Sequence, residues 1–122
     1  MRQKQKKELV SNEYLFPFMQ ETIVQLQKLG KTRTAETYQS ALASFMRFRE
    51  GKDVLISHIK DNLIVAYENS MKASGLSSNT TSFYMRILRA VYNRAVKQGI
   101  TKQKYPFQYV YTGVAKTRKR AV

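Results

Sequence analysis

The sequence has no cysteine, no tryptophan, two prolines, a single histidine and only eight carboxylates in 122 residues. Without cysteine there is neither a disulfide framework nor a thiolate metal site, which suits a reducing compartment. The lone His58, near a predicted helix start, fits a surface or capping role better than that of a ligand or base. The acids form no tight cluster of the kind two-metal nucleases require. No Walker loop or dinucleotide glycine fingerprint occurs. No apolar run approaches the roughly 20 residues that cross a bilayer, and the basic start of the chain lacks the apolar stretch of a signal peptide. These absences lead to the expectation of a soluble, cytoplasmic protein that needs no cofactor or metal and performs no chemistry itself.

What is present is positive charge. Lysine and arginine number 22, the formal net charge is +14 and the pI is about 10.2. Every carboxylate lies at or before Glu68, so the rest of the chain is basic without one compensating acid. Such a surface repels itself unless a polyanion neutralises it. A lipid surface is the weaker partner, because no predicted helix carries a tryptophan-flanked apolar face. Hydrophobic residues make up 43%, enough for one compact core.

Four glycines punctuate the chain. Gly30, Gly51, Gly75 and Gly99 each follow a stretch of helical periodicity, where a residue of left-handed conformation ends a helix. They predict four helices. The first runs from about Pro17 to Leu29, with Phe18, Met19, Ile23, Leu26 and Leu29 inward. The second runs from about Thr34 to Glu50 on Tyr38, Leu42, Phe45 and Phe48. The third covers about Asp61 to Ser74 through Leu63, Ile64, Tyr67 and Met71. The fourth spans about Asn79 to Gln98, with Phe83, Tyr84, Ile87, Leu88, Val91, Tyr92, Ala95 and Val96 as its apolar face. Beyond Gly99 the pattern stops, and residues 105–113 read as an extended connector, since a lone strand has nothing to pair with. The eight tyrosines are read as mostly core.

The fourth helix carries the most informative polar face. Ser82, Arg86, Arg89, Asn93 and Lys97 recur at three- and four-residue spacing and so stack along one side. Arginine and asparagine can bond base edges bidentately, while lysine and serine suit phosphates. An ordinary solvated face would interleave glutamates, and this one has none. Before it, one of Ser77, Ser78 and Asn79 must cap the helix, leaving the others beside N–H groups that attract phosphate. Lys31, Arg33 and Thr34 open the second helix in a similar way. Thr34 is its expected cap, Thr37 and Ser40 follow, and Arg47 and Arg49 complement the dipole at the far end.

Two stretches resemble a known family. Thr34-Ala-Glu-Thr-Tyr38 with Leu42, Phe45 and Phe48 is similar to the second helix of the core-binding domain of tyrosine recombinases, the phage-integrase family. Gly75-Leu-Ser-Ser-Asn-Thr80 leading to Tyr84, Leu88, Arg89, Tyr92, Asn93, Ala95 and Gly99 is similar to that domain's fourth helix. Pro106-Phe107 resembles the point where the family leaves this domain for its catalytic domain. The resemblance implies an all-α, four-helix SAM-like bundle that clamps a core half-site of duplex DNA, with helices two and four facing the major groove. It adds Arg33, Thr37, Ser40 and Ser44, with Asn79, Arg86 and Arg89, as contact candidates. It also implies a separate catalytic domain supplying arginines, a lysine, histidines and the nucleophilic tyrosine, a constellation lacking here. Lys116, Arg118, Lys119 and Arg120 would lie in an interdomain linker that follows the duplex.

The reading is therefore a basic arm over 1–15, a core-binding helical domain over 16–104 and a basic linker over 105–122. The DNA-contact set is Lys31, Arg33, Thr34, Thr37, Ser40, Ser44, Ser78, Asn79, Ser82, Arg86, Arg89, Asn93 and Lys97, with the four cations of the tail. A bacterial, nucleoid-associated monomer is expected, touching no membrane. A stand-alone helix-turn-helix regulator, a protein-interaction module and a cryptic nuclease are the competing readings.

Overall fold

A computed structural model describes residues 13–113. Four helices follow in order: α1 (Leu15–Lys28), α2 (Thr32–Phe48), α3 (Asp61–Ala73) and α4 (Ser78–Lys97), with a 3-10 turn at Ile56–His58 between α2 and α3. Among the described residues there is no strand, only one antiparallel bridge joining Tyr14 to Leu55. The all-α expectation holds, and the four helices are those the periodicity predicts. α1 packs on α2, α2 on α3 and α4, and α3 on α4.

The core is aromatic at its centre. Phe45 of α2 meets Tyr67 of α3 edge-on at a centroid distance of 5.0 Å, and Phe16 of α1 edge-on at 6.5 Å. Edge-to-face geometry places the positive ring edge on the negative face, adding about 0.5–1.5 kcal/mol per pair beyond area burial. Met19, Ile56, Ile64, Met85, Val91 and Tyr92 are fully buried in the same hydrophobic cluster. The Tyr67 hydroxyl donates to Ser44 Oγ at 2.7 Å, which satisfies a polar group the core would otherwise penalise. Burial pushes the Tyr67 phenol up to about 12, the Ser44 hydrogen bond opposing the shift only in part.

Helix ends explain the boundaries. At the end of α3 the Gly75 N–H donates to the Lys72 carbonyl at 3.0 Å and the Leu76 N–H to that of Met71 at 3.2 Å. This reciprocal pair satisfies carbonyls left over by the last turn and needs a left-handed residue, Gly75 at φ +91°. The same pairs close α1 at Gly30 and α4 at Gly99. At the end of α2 the pattern slips by one. Glu50, not Gly51, is the first left-handed residue (φ +56°), donating to the Arg47 carbonyl, while the Gly51 N–H reaches Met46. Two consecutive left-handed residues turn the chain here, and glycine supplies only the second.

Other starts and faces also differ from expectation. α2 begins two residues early, with Lys31 at the cap position and no side-chain cap, so Thr34 lies inside the first turn. α1 begins at Leu15, and its first turn is held from a distance: Asp53 Oδ1 accepts the Phe16 N–H at 3.0 Å and the Val54 N–H at 2.8 Å. Arg49 donates to the carbonyls of Lys52 and Asp53 and so ties that loop to α2. Leu29 is 70% exposed because it sits at the helix cap rather than on the apolar stripe. Of the tyrosines, Tyr67 and Tyr92 are buried, whereas Tyr14, Tyr105, Tyr109 and Tyr111 are exposed.

The segment after α4 departs furthest from the reading. Residues 101–113 do not leave the bundle as a free connector but fold back along α4. Pro106 and Phe107 are buried, the Phe107 ring lying 6.2 Å from that of Tyr92. The Tyr92 hydroxyl donates to the Lys102 carbonyl at 2.9 Å and accepts the Lys104 N–H at 3.1 Å. Glu68 Oε2 accepts the Tyr111 N–H at 3.0 Å, and Thr112 is buried. Where the sequence reading starts a linker at residue 105, an apolar Pro-Phe step docks on the bundle, and packing continues through Thr112.

Candidate nucleic-acid interface

Two helix surfaces carry the sequence-predicted contacts, and the structure treats them differently. On α2, Lys31, Arg33, Thr34 and Ser40 are exposed. Thr37 is half-buried, its hydroxyl donating to the Thr34 carbonyl at 2.8 Å. Ser44 is buried as the acceptor of the Tyr67 hydroxyl. Its place is set by α3 packing against that edge of the helix, so it leaves the surface set.

On α4, Ser77 is the cap, its Oγ accepting the Thr80 N–H at 3.2 Å. That frees Ser78 and Asn79, both exposed. Ser82 is buried and donates to the Asn79 carbonyl at 3.1 Å, so it too leaves the surface set. Arg86 and Arg89 are half-buried beneath the returning segment. Arg86 Nη1 donates to the Thr112 carbonyl at 2.8 Å, and Arg89 Nη1 lies 3.4 Å from Thr112 Oγ1. Asn93 Oδ1 accepts from Gln103 Nε2 at 3.0 Å. The approach is close enough that a Cβ at Gly113 would displace the Arg86 guanidinium and crowd Ser82, and its φ of +83° would strain any side chain there.

The predicted polar face is therefore split lengthwise. Its Ser82–Arg89 flank is covered by the chain itself. The open stripe is rotated toward Asn79, Phe83, Arg86, Ala90, Asn93 and Lys97; at about 3.6 residues per turn, Asn79 and Lys97 share one meridian. Arg86 stands on the border between the two. Its bond to Thr112 uses one of the guanidinium's donors and leaves others, while its guanidinium carbon sits 5.7 Å from the Phe83 ring centroid. Carbonyl and ring together fix a long side chain whose freedom would otherwise oppose binding. Phe83, expected in the core, is 37% exposed on this stripe.

At its C-terminal half α4 is tied to α1, Arg94 donating to Gln25. α1 hands directly into Lys31 and Arg33, so this tie relates the start of α2 to the Lys97 end of α4. One ion pair forms among the described residues, Lys72 with Glu68 at 3.9 Å. Lys31, Arg33 and Lys97 are consequently in no ion pair there, and neither helix carries an acid in its first turn.

Tyr105 and Tyr109, counted with the mostly core tyrosines in the sequence, are 66% and 67% exposed, Tyr105 lining a groove with Arg89 and Asn93 of α4. The available signal was their place on either side of the apolar Pro106-Phe107 step, but turns over 106–109 give that step no helical or strand period. Lys116, Arg118, Lys119 and Arg120 lie outside the described residues, as does most of the basic arm. No helix among the described residues is long and apolar enough to cross a membrane.

Among known proteins, residues 14–111 match the family model described as the Phage integrase SAM-like domain. No curated protein and no solved structure matches the chain.

Proposed function

The chain belongs to the phage integrase SAM-like domain family, and on that footing we propose that it is the DNA-clamping, core-binding module of a site-specific tyrosine recombinase. Duplex DNA lies along the open stripe of α4 and the start of α2. Lys31, Arg33 and Lys97 neutralise phosphates, and Arg86, held by Thr112, is presented toward the groove. The observation that carries this reading is the placement of those exposed cations, without acid partners, on the two helices. Strand cleavage belongs to a catalytic domain outside residues 14–111. The module itself uses no cofactor, works in the bacterial cytoplasm and binds as a monomer.

The test is a salt series of duplex binding, comparing wild type with Lys31→Ala/Arg33→Ala/Lys97→Ala. These side chains make no hydrogen bond within the described residues, so the variant removes charge and leaves packing alone. Affinity should fall steeply with salt, and the variant's slope should be shallower by about 0.9 for each phosphate no longer neutralised. Absence of binding even at low salt would sink the reading in favour of a protein-interaction module. Binding with an unchanged slope would move the DNA to another face.

A further inference from the structure

We propose that the groove between α4 and the returning segment is a pocket for an unpaired nucleobase, swung out of the duplex that lies along the neighbouring stripe. The inference rests on the DNA-binding reading and goes beyond it by naming what enters the groove. The groove holds about 400 Å³, room for a base with part of its sugar. Pro106 and Phe107 supply an apolar wall, and the exposed Tyr105 ring stands beside them. Arg89, Asn93 and Gln108 bring donors and acceptors to the same space, and no carboxylate lines it. Flat apolar and aromatic surface combined with amides and a guanidinium is the chemistry that stacks a single base and bonds its edge.

Local order supports a formed pocket rather than a gap. Gln103 is occupied at both ends, its Nε2 donating to Asn93 Oδ1 and its Oε1 accepting the Tyr105 N–H at 2.8 Å. That second bond holds Tyr105 at φ +51°, a conformation uncommon for an aromatic residue. Strain of this kind persists only where the surroundings over-determine it and concentrates at functional sites. The Asn93 amide nitrogen and the Gln108 side chain are left without partners among the described residues. Asn93 belongs both to the open stripe and to the groove, so a base leaving a duplex on the stripe meets the groove next. Stacked, paired bases cannot enter, which restricts the ligand to an unpaired nucleotide.

The experiment compares the whole chain's affinity for two duplexes of one sequence, one fully paired and one with a single bulged nucleotide carrying 2-aminopurine. Wild type should prefer the bulged duplex by at least about fivefold, within the range of one stacked base, and the 2-aminopurine signal should change on binding. Tyr105→Ala and Gln108→Ala alter exposed side chains. Each should abolish the preference and the signal change while retaining wild-type affinity for the paired duplex. Equal affinity for the two duplexes in wild type overturns the pocket and leaves the duplex reading standing. A preference that survives in both variants also overturns it, because the bulge is then read elsewhere. Failure to bind either duplex removes the DNA-binding reading and the pocket with it.

Discussion

Replacing Phe107 with alanine tests whether the returning segment is part of the folded unit. Phe107 is 7% exposed and packs on Tyr92. Truncating a phenylalanine at such a site costs about 3–5 kcal/mol in a core that cannot relax. This site can relax, because the segment lies at the edge of the bundle and can detach. The loss is therefore capped by the free energy with which residues 101–113 dock. That docking also rests on the Arg86–Thr112 bond, the Glu68–Tyr111 bond and buried Pro106. A fall in global stability of about 2–3 kcal/mol follows, a Tm lower by roughly 10–20 °C for a domain of this size. Hydrogen exchange supplies the sharper readout. The Tyr111 amide, bonded to Glu68 in the parent, should lose its protection, while the amides of α2 and α3 keep most of theirs. The reasoning fails if Tm and Tyr111 protection are both unchanged. The segment would then contribute nothing, and a linker starting at residue 105 would be the better description.

Two further outcomes are expected. The Tyr67 phenol is raised to about 12 in the folded protein, against about 10 in an unfolded chain. The folded state thus binds the proton more tightly, so stability is full below pH 10 and falls as pH rises toward 12. The Tyr67 share of the fall is roughly 3 kcal/mol and should be missing from Tyr67→Phe, whose own curve still falls through Tyr92, likewise raised by burial; chemical denaturation between pH 9 and 11.5 checks it, and parallel curves for the two proteins would contradict it. Glu50 holds a left-handed conformation while exposed at a helix C-terminus, where both its Cβ and its negative charge are unfavourable. Glu50→Gly should stabilise the protein by about 1 kcal/mol in thermal unfolding, and a lowered Tm would count against that account of the turn.

The bundle was legible because helix formation and termination are local. Apolar residues at three- and four-residue spacing mark a face, and glycine marks the point where the chain must turn left-handed. Three of the four helix ends follow that rule. The remaining one shows its limit, since α2 ends one residue earlier and its closing hydrogen bonds put Glu50, which no propensity selects, in the left-handed position. The cap of α1 was equally hidden, because Asp53 reaches it from 37 residues away in sequence. The candidate interface divides in the same manner. Charge and helical spacing identify α2 and α4 and the cations Lys31, Arg33, Arg86 and Lys97, all properties of short stretches. Which side of α4 stays open depends on a segment that docks through Pro106, Phe107 and Thr112, and on the bonds of Arg86 and Arg89 to that segment. Burial of Ser44 and Ser82 has the same origin: a serine's exposure is set by what packs over it. Short-range pattern was enough to specify the helices, their order and the excess of positive charge. Which polar side chains meet solvent was settled by packing between distant parts of the chain, because such contacts leave no periodic mark in the residues that make them.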